Sequence, residues 1–276
     1  MTNARERYDP RYAKRVIERI ERTGGGKIYF NDLVVTGREN LHKNENHQRI
    51  YVANHLSHAD YAFAALELYR EGIRMPMIPA GANLDQPLLK HLGLNLGKLG
   101  AYFIDRDLME QSNGDSTAHK KRAIRTTREI MKEGLDLLVF PEGGRSYDGN
   151  LFKEYNTGAL RSALHNVKDI DIVPIAFAYD HRVEERFLKI AAKGNRKTTT
   201  GKLRYYGSDA FAYFFNRPVA KLLGFDVGNA YMNIGEPIPL SEITKTPGLS
   251  KREKTETLKK FTIEEIKRLH DEIKTK

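Results

Sequence analysis

Short apolar runs alternate along the chain with segments rich in glycine, proline or charge. Residues 49–53 (Arg49-Ile50-Tyr51-Val52-Ala53) read as a strand, and the apolar run 61–69 as a buried helix that stops near Gly72. Residues 75–80 carry Pro76 and Pro79 and so read as extended. A turn at 81–84 leads to a short helix with Pro87, Leu88, Leu89 and Leu92. Residues 101–104 (Ala101-Tyr102-Phe103-Ile104) form the next apolar run, 135–140 another, and 170–179 a longer one with Pro174 inside it. Between them, 117–133 has helical spacing, with Ala123, Ile124, Thr127, Ile130 and Met131 inward and basic residues outward, and 156–165 can form a helix. Strand, glycine-rich turn, helix and strand recur. The fold class this predicts is α/β: a mixed, largely parallel central sheet flanked by helices, with the chemistry at the carboxyl ends of strands.

The ends are helical. Residues 10–23 place Val16, Ile17 and Ile20 on one stripe among arginines and lysines, which fits a helix packed on the core or one lying on a membrane surface. Gly24-Gly25-Gly26 follows as a linker, and 27–37 alternates in a way that predicts one or two strands. Residues 230–237 read as a last strand. Leu258, Phe261, Ile266, Leu269 and Ile273 keep helical spacing in a C-terminal helix. The expected division is an N-terminal helix and linker at 1–26, a domain at 27–240, and a helix packed on it at 241–276.

Composition narrows the classes. The 276 residues include no cysteine, which removes disulfides and thiolate metal sites and points to a reducing, cytoplasmic compartment. No window is apolar enough to span a membrane, and the first residues lack the apolar run of a secretion signal. The net charge of +10 predicts an anionic partner. The basic stretch 193–204 and the aromatic run 211–225 are candidates for an anionic membrane surface, which would make the protein peripheral at the inner membrane face.

The chemistry gathers first at Asn54-His55-Leu56-Ser57-His58-Ala59-Asp60. A histidine at a strand exit with a carboxylate five residues on can act as a positioned base. Five residues turn a regular helix through roughly 500°, so the two meet only if His55 lies in the loop and Asp60 in the first helical turn. The same residues fit a second reading, in which Ser57 and Asp60 form a capping box. His55 and His58 lack a third metal ligand at a fitting spacing, so no metal is expected. Arg106, residues 142–146 (Glu142-Gly143-Gly144-Arg145-Ser146) and Pro174 with its neighbours are placed at further strand exits. Two arginine forks could grip one anion there, with the glycines admitting it to the backbone and Glu142 orienting an arginine or accepting a hydroxyl. As an ordinary turn the stretch would hold only a surface Glu142–Arg145 pair.

Four blocks occur in order: Asn54-His55-x-Ser57-x-x-Asp60, Gly100 to Arg106, Phe140-Pro141-Glu142-Gly143-Gly144-Arg145-Ser146, and Ile172-Val173-Pro174-Ile175. Together they resemble the signature of the glycerolipid acyltransferases, over roughly residues 49–180 and most closely the glycerol-3-phosphate branch. Tyr179-Asp180-His181 is similar to that branch too. Gly144 departs from the threonine of most 1-acylglycerol-3-phosphate enzymes, Pro141 resembles those enzymes instead, and Asp105 stands where many relatives are basic. The resemblance implies His55 as general base and Asp60 as its orienting partner. It implies an acceptor-phosphate site at Arg106, Glu142, Gly143, Gly144, Arg145 and Ser146, and an acyl donor near Val173, Pro174 and Ile175. The implied reaction moves a fatty acyl group from acyl-CoA or an acyl carrier protein to glycerol-3-phosphate, without a cofactor, with lysophosphatidate as the alternative acceptor. Oxyanion donors are expected at the start of the helix after His55. A basic lipid- or nucleic-acid-binding protein without turnover is the alternative of another class, although no nucleic-acid motif is present and no nucleic-acid partner is expected.

Overall fold

The computed structural model describes residues 8–82, 95–104, 114–164, 169–184, 217–245 and 247–275. Arg106, the helix expected near residues 87–92, the basic stretch 193–204 and the aromatic residues 211–215 lie outside them.

The chain opens with helix α1 (Pro10–Arg22), started by the Asp9 side chain, which accepts the Arg11 and Tyr12 N–H groups. A 3₁₀ turn (Gly25–Ile28) and strand β1 (Leu33–Thr36) follow, so 27–37 yields one strand. After a second 3₁₀ turn come β2 (Gln48–Ala53), α2 (Ala59–Arg70), β3 (Ile78–Gly81), β4 (Ala101–Ile104), α3 (Gly114–Lys132) and β5 (Leu137–Val139). The last part holds α4 (Gly158–Ala163), β6 (Ile170–Tyr179), α5 (Arg217–Leu222), β7 (Ala230–Ile234), β8 (Ile238–Pro239), α6 (Leu240–Ile243) and α7 (Lys251–Lys274).

The main sheet runs β1-β7-β6-β2-β5, with β8 also on β6. β6, β2 and β5 are parallel, as are β1 and β7, and the two groups meet antiparallel between β6 and β7. A parallel bridge from Met77 to Leu137 attaches the parallel pair β3–β4 at the β5 edge. The expected mixed, largely parallel sheet is therefore present.

Side chains alternate across the sheet, and each face has its own core. Tyr51, Ala53, Val173, Ile175 and Phe177 pack with Phe30, Phe63, Ala64 and Leu68 under α2. Ile50, Val52, Ile172 and Ala176 pack with Ile130, Met131, Leu160, Leu258 and Leu269 under α3, α4 and α7. Helix α1 buries Ala13 and Ile17, and its Glu18 and Glu21 meet Tyr69 and Arg70 of α2. Of its apolar stripe, Ile17 is packed inside the protein while Ile20 stays exposed. Ser250 and Glu253 form the capping box that starts α7.

Pro174 stands inside a central strand, where a missing N–H would normally cost a ladder bond. Here the flanking partner changes at that point: β7 ends opposite Ile175 and β8 begins opposite Ile172. Gly235 bridges the gap by donating to the Pro174 carbonyl at 2.8 Å. A Cβ on Gly235 would lie 2.6 Å from Pro174 Cγ, so only glycine passes there.

Candidate active site

Strand β2 ends because Asn54 replaces the next rung of its ladder with a side chain. Its Nδ2 donates to Phe177 O at 3.0 Å and its Oδ1 accepts from Phe177 N at 2.8 Å. The chain is then free to turn, and His55 leaves the sheet at the carboxyl end of β2 while Asp60 falls in the first turn of α2. The loop-then-helix placement that the spacing demands is met.

The His55 imidazole is 12% exposed, with its Nδ1 2.8 Å from Asp60 Oδ2. Asp60 is fully buried. Its Oδ2 also accepts the Leu56 N–H at 2.7 Å and the Ser57 N–H at 3.0 Å, and its Oδ1 accepts the Tyr179 hydroxyl. An ionised carboxylate only accepts, so the His55 ring proton is assigned to Nδ1 and the lone pair to Nε2. Nε2 makes no hydrogen bond among the described residues. Phe140 packs against the ring with centroids 4.5 Å apart. Burial lowers the His55 pKa below the usual histidine value; Asp60 opposes the shift, and His58 and Arg145 reinforce it. The imidazole is therefore neutral at neutral pH, as a proton acceptor must be.

The Asp60 carboxylate serves the helix start and His55 at once. The Asp60 carboxylate does hold the Ser57 N–H, which is half of a capping box. The Ser57 hydroxyl does not complete it, since it donates to Glu184 Oε2 at 2.8 Å and accepts from Ala59 N. The expected oxyanion donors at this helix start are already committed: Leu56 and Ser57 N–H to Asp60, His58 N–H to Glu184, Ala59 N–H to Ser57 Oγ, and Asp60 N–H to Ser57 O.

The second loop, 140–146, leaves β5 beside His55. Phe140 to Gly143 close a turn with Pro141 at its second position, and Gly143 takes φ +72°. A Cβ there would meet Asn156 Nδ2 at 2.6 Å. Gly144 has open space around it, and its N–H makes no hydrogen bond among the described residues. Ser146 N donates to His55 O at 2.7 Å, tying the two loops together. Glu142 is 8% exposed. Burial raises its pKa to about 7, while the Phe152 and His55 N–H groups hold the shift back and Asp60 adds to it.

Several site expectations change. Glu142 and Arg145 do not pair at the surface: Arg145 is buried and its Nη1 meets Glu184 Oε1 at 2.7 Å. The Ser146 hydroxyl closes its own loop on Asn150 O at 2.7 Å. Arg145 Nη1 and the Ser146 hydroxyl thus each take part in holding the site together. Val173, Pro174 and Ile175 are buried in the middle of β6, beneath the site and not at a strand exit. No side-chain contact with a donor is open to Val173 or Ile175, which are sealed in the core.

Two residues were missed. Tyr179, noted only for its likeness to relatives, supports Asp60 from the end of β6. Glu184 joins the two loops, yet it stands between Val183 and Glu185 like any surface acid. Its burial is a product of tertiary contact, and nothing local in the sequence announces it.

The Acyltransferase family model matches residues 32–178. The glycerol-3-phosphate acyltransferase of Pseudoalteromonas atlantica is 32% identical over 204 residues, covering 71% of this chain and 22% of that protein. That of Alteromonas mediterranea is 28% identical over 247 residues, 86% of this chain and 26% of that protein. The chain spans about a quarter of the length of these curated relatives. The crystal structure of the 1-acyl-sn-glycerophosphate acyltransferase PlsC from Thermotoga maritima aligns with a TM-score of 0.53 at 22% identity, covering 96% of this chain and 82% of that one, a likeness of fold. The matched segment runs from β1 into the last residues of β6 and includes His55, Asp60 and the 140–146 loop, and the chain belongs to the Acyltransferase family.

Proposed function

We propose that this protein transfers a fatty acyl group from an acyl thioester, acyl-CoA or acyl carrier protein, to the hydroxyl of glycerol-3-phosphate. The observation that carries the reading is the His55–Asp60 pair, which leaves a neutral imidazole with its lone pair on Nε2. His55 takes the proton of the acceptor hydroxyl as that oxygen attacks the thioester carbonyl. The tetrahedral intermediate collapses with cleavage of the C–S bond, and the imidazolium returns the proton to the leaving sulfur. Asp60 supports the charge that His55 gains. Such a base contributes ~10²–10⁴-fold. With the helix-start donors committed, the Gly144 N–H is the donor we assign to the developing oxyanion or to an acceptor oxygen. The acceptor phosphate is assigned to Arg106, Glu142, Gly143, Gly144, Arg145 and Ser146, with Glu142 beside the base.

The names of the relatives favour glycerol-3-phosphate as acceptor. The Thermotoga fold neighbour, named for 1-acyl-sn-glycerophosphate, keeps lysophosphatidate as the second reading. Thiol release is measured with both acceptors and both donors, with His55→Ala as control. Turnover with glycerol-3-phosphate that is lost in a folded His55→Ala protein is expected; near wild-type turnover in that variant refutes the base.

The reading also places the protein peripherally on an anionic bilayer at the inner membrane face. No described helix is long and apolar enough to cross a membrane. Val219, Leu222, Leu223 and Phe225 form an exposed apolar cluster, with Leu222 86% exposed. Lys221 Nζ binds the carbonyl of Phe30, whose ring packs 5.5 Å from Tyr179, so this cluster sits at the end of the sheet that carries His55. Co-sedimentation with anionic vesicles should fall in Leu222→Glu; wild-type protein that stays in the supernatant at low salt refutes the docking.

A further inference from the structure

Glu184 is a fully buried carboxylate five residues beyond β6, outside the motifs that suggested the site. Its Oε1 accepts the His58 N–H at 2.8 Å and Arg145 Nη1 at 2.7 Å, and its Oε2 accepts the Ser57 hydroxyl at 2.8 Å. Two of these donors belong to the His55 loop and one to the Glu142 loop. Burial alone would drive Glu184 to its neutral form, yet Arg145 and His58 hold its pKa below the usual glutamate value. It is a buried anion kept charged by the loops that it joins.

The neighbouring residues act in the same sense. Tyr179 supports Asp60, and Arg182 donates to Ser146 O at 2.5 Å and to Tyr147 O at 3.2 Å. From the end of β6 to Glu184 the chain therefore grips both loops from behind. We infer that Glu184 is a positioning residue for the reaction: through Ser57, His58 and Arg145 it sets the base loop against the 142–146 loop and balances the Arg145 charge near His55. The inference rests on His55 being the base.

The physical consequence is specific. A scaffold acid that merely filled space would affect folding alone. Glu184 also compensates a cation that disfavours the His55 imidazolium, since Arg145 lowers the His55 pKa. The charged and titratable groups facing His55 are Asp60, His58, Glu142 and Arg145, with Glu184 behind the last. Converting Glu184 to an amide keeps its shape and one accepting oxygen for the His58 N–H, puts an NH₂ donor in place of the oxygen that accepts the Ser57 hydroxyl, and leaves the Arg145 charge unbalanced.

The test is Glu184→Gln in the full chain, read by thermal midpoint, kcat and the pH profile of kcat/KM for thiol release. We expect a folded protein whose kcat falls roughly tenfold to a hundredfold, the range for loss of an orienting partner or a small misplacement. The acid limb should move to lower pH, because unbalanced Arg145 opposes protonation of His55. Glu184→Asp, which keeps the charge, should return the limb toward its wild-type position. A folded Glu184→Gln protein with wild-type kcat and an unmoved acid limb overturns the inference. If Glu184→Gln does not fold, Ser57→Ala removes one donor and leaves the charge balance intact. It should then lower kcat without moving the limb, and unchanged kcat overturns the inference. His55→Ala separates the two levels: an inactive His55→Ala beside a normal Glu184→Gln refutes the positioning role alone, whereas an active His55→Ala refutes the base.

Discussion

Replacing Asp60 by asparagine removes one charge and almost no volume. The amide oxygen can still accept from Leu56 N and Ser57 N, and the amide NH₂ can donate to the Tyr179 hydroxyl, which accepts as readily as it donates. The fold should therefore survive. The transition state loses more, because the imidazolium that forms on His55 no longer faces a carboxylate 2.8 Å from Nδ1. Two unit charges about 4 Å apart attract by about 4 kcal/mol at an effective dielectric of about 20. The retained amide dipole recovers a part of this, leaving a loss of about 3 kcal/mol, or roughly 10²-fold in kcat. The pH profile adds an independent sign. His55 works only when neutral, so activity is present above its folded-state pKa and lost as pH falls through it. Asp60 raises that pKa, so Asp60→Asn should move the acid limb of kcat/KM to lower pH while the plateau falls. Thiol release with acyl-CoA and glycerol-3-phosphate, followed from about pH 5 to about pH 9, measures both. A plateau within about threefold of wild type, or an acid limb that moves upward, refutes the orienting and charge-stabilising role.

Asn54→Ala should destabilise the protein by about 2–6 kcal/mol, because the Phe177 N–H and C=O are left buried without their partner at about 1–3 kcal/mol each; a denaturant midpoint close to wild type would show that the side-chain rung does not hold the end of β2. Glu142 binds its proton more tightly folded than unfolded, with a pKa of about 7. Its contribution is present below the unfolded value and lost as pH rises through about 7, by at most about 3 kcal/mol. Glu142→Gln should accordingly be more stable than wild type near pH 8 but not near pH 5, and equal differences in urea unfolding at both would refute the shift.

Much of the fold was legible because its signals are local. The apolar runs at 101–104 and 170–179 became β4 and β6 with the expected bounds, since continuous apolar segments between turn residues stay readable without their partners. The five-residue spacing from His55 to Asp60 required a loop followed by a helix start, and the backbone makes that turn. Helix geometry sets which positions can meet over so short a span, so the His55–Asp60 pair needed no distant information.

Other features arose only when remote segments met. Strand order β1-β7-β6-β2-β5 brings Tyr179 to Asp60 and Phe177 to Asn54, pairs separated by more than a hundred residues of chain. Arg145 was placed at a strand exit by the local pattern; that its guanidinium pairs with Glu184, 39 residues on, arises only in the folded chain. Pro174, read inside the 170–179 run yet grouped with the strand exits, sits mid-strand, where β7 hands over to β8 beside it. The chain order of the residues thus settles that His55 and Asp60 can meet. Burial settles which charges are already spent, because burial depends on what the folded chain lays against each group.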